Sequence, residues 1–194
     1  LIRSIREAKK HIQDAGLVLD LDAFIGQEGQ LYRQHAAFNK SLLLEQREEL
    51  SRLEAALADD YERFSRTRSL RFNLAYAEGF EALTAALTVF ALHFKYVDKI
   101  DPAVRDLFRW HMVEELEHRT VAFDVYQHVC GSYVYRVLIG LFAQWHFLRF
   151  VFRVVGILKD SRYGRRLKTL ARVSPLIGRC LYYLVPKVLV SYAP

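Results

Sequence analysis

The sequence predicts an all-α fold, a bundle of long helices that carries a basic helical extension at its C-terminal end. Three observations predict it. Hydrophobic residues make up 52% of the 194 residues while Pro and Gly number only 4 and 9, so the chain can bury a core and has few helix breakers. Apolar residues recur at spacings of three and four through most of the chain, and no alternation is long enough to form a sheet. Capping and breaking residues fall between the periodic stretches. The length fits one domain with an appendage, and the expected division is residues 1–130 as the bundle and residues 131–194 as the extension.

Residues 1–14 read as a helix through Ile2, Ile5, Lys9 and Ile12, with Gly16 as its stop. A long helix is expected over residues 19–44, with Asp20 as N-cap and Phe24, Glu28, Leu31, His35 and Phe38 along its inner stripe. Residues 47–66 are strongly charged and read as a solvent-facing helix. Residues 70–97 form a long Ala-, Leu- and Phe-rich helix with Glu78 and Glu81 one turn apart inside its apolar face. Asp101-Pro102 supplies an N-cap followed by Pro at the first helical position, opening a helix that ends near Gly131. Residues 133–158 are dense in aromatics but interrupted by Arg136, Arg149 and Arg153. Their longest charge-free run is 12 residues, short of the roughly 20 that a spanning helix needs, so no membrane span is expected. Residues 159–179 are polar and basic, and residues 181–192 form a short apolar tail broken by Pro186.

The chemistry concentrates in Trp110-His111-Met112-Val113-Glu114-Glu115-Leu116-Glu117-His118. On a helix His111, Glu114, Glu115 and His118 fall within roughly a third of the circumference. Glu115 and His118 form a Glu-x-x-His pair, which helical-bundle metal sites use to grip one ion from adjacent turns. Alone, such a pair reads first as a charged solvent face. It gains meaning from Glu28 with His35 and Glu78 with Glu81, which two other helices aim at the same interior. Burying carboxylates without partners costs several kcal/mol each, so such a bundle calls for a compensating cation. Mixed carboxylate and imidazole donors suit iron or manganese, and zinc less specifically.

Phe24-Ile25-Gly26-Gln27-Glu28 with His35 and Phe38-Asn39, then Leu83-Thr84-Ala85 after Glu81, then Trp110-His111 through Ala122-Phe123-Asp124-Val125-Tyr126, together resemble a bacterial family known as predicted metal-dependent hydrolases. The resemblance implies a ferritin-like four-helix bundle. Carried over residue by residue, it implies Glu28, Glu81, Glu115 and His118 as metal ligands, with His35 and His111 near the site as ligands or as their hydrogen-bond partners. A ligating His usually donates its other N–H to a carboxylate or carbonyl, and Glu114 is the expected acceptor. The chain departs from the family pattern at Leu31, where the pattern has His. Segments of the pattern that carry a further Glu before Leu1 and a Phe-His-Pro-Trp run after Pro194 are expected beyond the two ends, so the chain reads as trimmed at both or as a naturally degenerate copy. Glu78 and His35 are the candidates to compensate.

The implied activity is that of a metal-dependent enzyme, either a hydrolase or an oxygen-activating oxidase or oxygenase, acting on a small or hydrophobic substrate. Iron as a di-iron centre is favoured, with manganese or zinc as alternatives. Glu114 and His111 are the candidates for moving protons, and Tyr76 and Tyr126 for oxidisable neighbours, though each also fits an ordinary structural role. The sequence has no Gly-rich phosphate loop, no Gly-x-Ser-x-Gly elbow and no Cys–His nucleophile pairing. Its 2 cysteines, Cys130 and Cys180, are far apart, which points to a reducing, cytoplasmic setting and no disulfide framework.

Residues 131–194 carry 11 Lys and Arg against Asp160 alone, whereas residues 1–130 carry 17 against 21 acids. Arg136, Arg149, Arg153, Lys159, Arg162, Arg165, Arg166, Lys168, Arg172 and Arg179 are expected to come without acidic partners. Aromatics and Arg on one helix fit an interfacial element on an anionic membrane surface, peripheral on its inner face, or a helix packed on the bundle with its Arg residues in water. No nucleic-acid-binding motif is recognisable. A homodimer is a further expectation. The rival to the enzyme reading is a non-catalytic helical module, membrane- or partner-binding, with a degenerate metal site.

Overall fold

A computed structural model describes residues 2–41, 47–160 and 178–192. Among these residues the chain is helices joined by short connections, with no strand. We number the helices α1 (Ile2–Ala8), α2 (Ala15–Ser41), α3 (Arg47–Thr67), α4 (Leu70–His93), α5 (Pro102–Val129), α6 (Tyr133–Asp160) and α7 (Val185–Ser191). Lys9–His11 and Val97–Lys99 are 3₁₀ turns, and Cys180–Leu184 is a π-helical turn leading into α7. The expected all-α helical bundle is what forms. The basic side chains Arg162, Arg165, Arg166, Lys168 and Arg172, and the side chain of Lys159, lie outside the described residues.

The helix ends follow local chemistry. Ser69 caps α4 by accepting from the Phe72 amide at 3.2 Å, and Asp101 caps α5 through the Ala103 amide at 2.9 Å, each satisfying an otherwise orphaned donor. Gly131 follows α5 with φ of 64°, the left-handed position that a helix C-terminus asks of glycine. Two expected ends move. Gly16 does not stop a helix but sits in the first turn of α2, because Asp14 accepts from the Leu17 amide at 3.0 Å and caps the helix before Asp20 can. The fourth helix stops at His93 rather than near residue 97. Lys95 takes φ of 53° and its amide turns back to the Leu92 carbonyl at 3.1 Å.

α4 is the axis of the molecule. It packs against α5 and α6 along most of its length and also meets α1, α3 and α7, while α2 lies on α5 and α1, and α3 on α6. A helix touched on so many sides must be apolar nearly all round, and α4 buries residues on every face. One core joins Ile5, Leu21, Phe24, Leu74, Val125 and Tyr126 between α1, α2, α4 and α5; a second joins Phe64, Phe72, Tyr76 and Ala143 between α3, α4 and α6. Each fully buried large side chain contributes about 1.5–3 kcal/mol. α4 and α6 touch backbone to backbone at Gly79 and Gly140, where a methyl on Gly79 would run into the Gly140 Cα.

α4 and residues 133–158 of α6 are both long and apolar enough to cross a membrane by length and composition. α4 has a simpler account as a core helix, with 72% of its apolar window buried, against 22% for α6. Val134, Leu138, Leu141, Trp145, Phe152 and Val155 leave a row of exposed apolar side chains along α6.

α6 nevertheless buries Arg136, Gln144 and His146. Arg136 was expected to lack an acidic partner. Instead Nη1 donates to Glu78 Oε1 at 3.0 Å, and the guanidinium lies over the rings of Phe123, Tyr133 and Tyr192.

Candidate metal centre

Three helices meet at the candidate centre. α2 contributes Gln27, Glu28 and His35, α4 contributes Glu81, and α5 contributes His111, Glu114, Glu115 and His118. The spacing of three and four on α5 puts its four groups on one face, and burial follows: Glu114, Glu115 and His118 are buried while Val113 and Leu116 are exposed. The Phe24 ring closes one side, edge-on to His118 with centroids 4.6 Å apart. Phe108 flanks His35 at 5.8 Å.

His118 is fully enclosed, and its two ring nitrogens have different neighbours. Nε2 lies 3.3 Å from Gln27 Oε1. The Gln27 amide is oriented from outside, since its Nε2 donates to Glu117 Oε2 at 3.1 Å and a carboxylate only accepts. Gln27 therefore presents oxygen to His118, and His118 donates through Nε2. The hydrogen that Glu114 was a candidate to accept goes instead to Gln27, on the facing helix. Nδ1 is left with a lone pair, 3.1 Å from Glu28 Oε1 and 4.0 Å from Glu81 Oε2, with no hydrogen-bond partner.

Glu115 Oε1 is 2.8 Å from His111 Nε2, and His111 Nδ1 is 2.6 Å from His35 Nε2. Its Oε2 atom, like Glu81 Oε2 and Glu114 Oε2, is buried without a partner. Ligand atoms of Glu28, Glu115 and His118 all lie within 4.8 Å of one another. Each of these four buried lone-pair atoms is out of water with no hydrogen bond to compensate it, which costs free energy. A cation placed among them would offset that cost.

The electrostatics agree. Burial, compounded by the Glu115 and Glu28 charges, pushes the Glu81 carboxyl well above its ordinary range. Burial acts the same way on Glu115, but the hydrogen bond from His111, the Thr84 hydroxyl and the two imidazoles outweigh it and hold that carboxyl low. Burial also raises Glu114, against the opposing pull of His118 and His111. His35 is lowered by burial and by His111.

Of the residues expected here, Glu28, Glu115 and His118 bring ligand atoms together and Glu81 borders them, 4.0 Å from His118 Nδ1, with His111 and His35 in line behind Glu115. Leu31 is buried as an apolar residue. Glu78 does not join them. It lies one turn from Glu81 but faces α6, where Arg136 neutralises it, so it cannot compensate for Leu31. Tyr76 and Tyr126 also stand apart: the Tyr76 hydroxyl bonds His146 Nδ1 at 2.8 Å and the Tyr126 hydroxyl donates to the Ser132 carbonyl at 2.8 Å. Gln27 and Glu117 acquire their roles only from the packing of α2 on α5.

The family described as predicted metal-dependent hydrolase matches residues 1–193 of the chain. No curated protein and no solved structure matches it. The Glu28, Glu115 and His118 group, the last two buried, could hold the ion a metal-dependent family requires, and with the match running the length of the sequence, this chain belongs to the predicted metal-dependent hydrolase family.

Proposed function

We propose that the protein is a metal-dependent hydrolase whose ion is held by Glu28, Glu81, Glu115 and His118 within a ferritin-like arrangement of helices. The observation that carries this reading is the set of buried, unpartnered acceptor atoms contributed by α4 and α5 around His118 Nδ1. Three carboxylates and one imidazole favour iron or manganese over softer-ligand metals. When bound, such an ion supplies Lewis acidity and makes a water-derived nucleophile available near neutral pH.

The protein's own groups divide the remaining work. Gln27 holds the His118 ring in the tautomer that leaves Nδ1 bare, as outer partners of ligating histidines commonly do. His111 orients Glu115 through one nitrogen and is itself held by His35 through the other. Glu114 is buried beside the site with a free Oε2 atom, the placement a proton carrier needs. Phe24 and Phe108 make the surroundings apolar, which favours a small or hydrophobic substrate.

A di-iron, oxygen-activating reading is supported by a separate observation. Glu115 lies between His118 on one side and the His111–His35 pair on the other, so imidazoles are available to a second ion across a shared carboxylate. Elemental analysis of protein purified without chelator decides between them. About one iron or manganese per chain fits the first reading and about two irons the second. His118→Ala should lose the metal in either case; unchanged metal content in that variant overturns the ligand assignment, and no metal in the unaltered protein returns the chain to the rival reading of a non-catalytic helical module.

A further inference from the structure

On the opposite side of α4, between α3 and α6, lies a second cavity of about 480 Å³, within the size range of small-molecule sites. Phe64, Phe142 and Trp145 form its apolar walls, and Arg63, Arg68 and Arg149 reach it with a single carboxylate, Asp60. That carboxylate is already committed. Asp60 Oδ1 pairs with Arg63, and Oδ2 accepts from His146 Nε2 at 3.2 Å. The His146 ring is buried and its Nδ1 meets the Tyr76 hydroxyl at 2.8 Å, so it is anchored at the cavity floor. Asp60 therefore cannot also neutralise Arg68 and Arg149. Among the described residues neither has a carboxylate within ion-pair distance; Arg68 leans on the Phe72 ring at 5.3 Å.

A site with aromatic walls and two guanidinium groups left over after internal pairing is complementary to one chemistry: an anionic head on an apolar body. Guanidinium binds carboxylate or phosphate with charge-assisted, two-pronged hydrogen bonds, while the rings cover the attached chain. We infer that this cavity binds an amphiphilic anion, separately from the metal centre. The head can come from a free acid or from a lipid presented by a bilayer, and Trp145, in the wall and also in the exposed row on α6, reports on either.

The test uses the full chain carrying Trp110→Phe, which leaves Trp145 as its sole indole. Laurate, below its micelle concentration, is titrated against Trp145 fluorescence, with dodecyltrimethylammonium as the cation of matched chain length. Phosphatidylglycerol vesicles form the second arm. Laurate should bind saturably and the cation should not. Arg68→Ala and Arg149→Ala, both at exposed positions, should each weaken binding about tenfold, roughly the loss of one charge-assisted contact. Thr67→Phe, which fills the cavity while keeping every charge and adding no indole, should abolish it. Vesicle binding with the same Arg and Thr67 dependence but no laurate binding identifies a lipid headgroup as the source and keeps the inference. Binding unaffected by all three substitutions, equal binding of the cation, or no binding in both arms overturns it.

Discussion

Glu78 and Glu81 sit one turn apart on the same helix, both almost wholly buried, and the molecule treats them in opposite ways. Glu78 turns toward α6 and meets Arg136, whose charge cancels its own inside the fold. Glu81 turns toward α2 and α5 and meets Glu28, Glu115 and the bare nitrogen of His118. A buried charge has two ways to survive, a counter-charge from the same chain or one from solution. The first makes a structural pair and the second a binding site. What distinguishes a metal centre from a polar core is therefore the absence of an internal cation, more than the presence of acids.

The largest expected effect breaks the internal pair. Arg136→Met leaves Glu78 buried and uncompensated and should lower unfolding free energy by about 3–5 kcal/mol in urea titrations. Glu78→Leu added to Arg136→Met should recover most of that loss, because two apolar side chains of similar volume need no partner. A double variant as unstable as the single one would show that Arg136 works mainly through its aromatic contacts.

Next comes the partner that sets the His118 tautomer. Gln27→Leu removes the acceptor for Nε2 and should weaken metal binding about 10–100-fold, measured by competition with a chelator, while the metal-free protein keeps its helical circular dichroism. An unchanged affinity would mean that the tautomer is set without Gln27.

Glu81→Gln inverts the first experiment. It removes a buried charge that no internal cation balances, so it should stabilise the metal-free protein by about 1–3 kcal/mol even as metal affinity falls. Destabilisation of the metal-free form would place Glu81 with Glu78, as a structural acid.

The smallest effect is in the pH dependence of the metal-free protein. The folded Glu81 carboxyl is raised above its unfolded value of 4.5, so between the two values the folded chain holds more protons than the unfolded one. Stability must then fall as pH rises from the unfolded value through the raised one. Metal-free protein should lose stability relative to Glu81→Gln as pH rises above the unfolded value of 4.5, read as the difference between their urea midpoints. The same slope in both would remove Glu81 as its source.

How much of this was legible in the sequence differs by element. α5 was readable almost whole, from its Asp101-Pro102 start to Gly131, because caps and periodicity are local. The convergence of Glu28, Glu81, Glu115 and His118 was readable from one-face spacing combined with the resemblance. The boundary between α1 and α2 was misplaced because Asp14 and Asp20 are equally good caps on paper. Arg136 was unreadable as a core residue: nothing near it in sequence announces Glu78, 58 positions away. Gln27 was visible within its motif, but its acceptor role depends on Glu117, 90 positions away.

Local chemistry thus determined which residues are helical, which faces are apolar and which side chains can bind a cation, since backbone hydrogen bonding and side-chain periodicity act within a few residues. Tertiary packing alone decided which acids meet a cation of their own and which do not. Positions three apart on a helix point about 60° from one another. Only the helix that arrives on each side, α6 bringing Arg136 or α2 and α5 bringing more lone pairs, determines whether a buried carboxylate is settled within the fold or left to bind a metal.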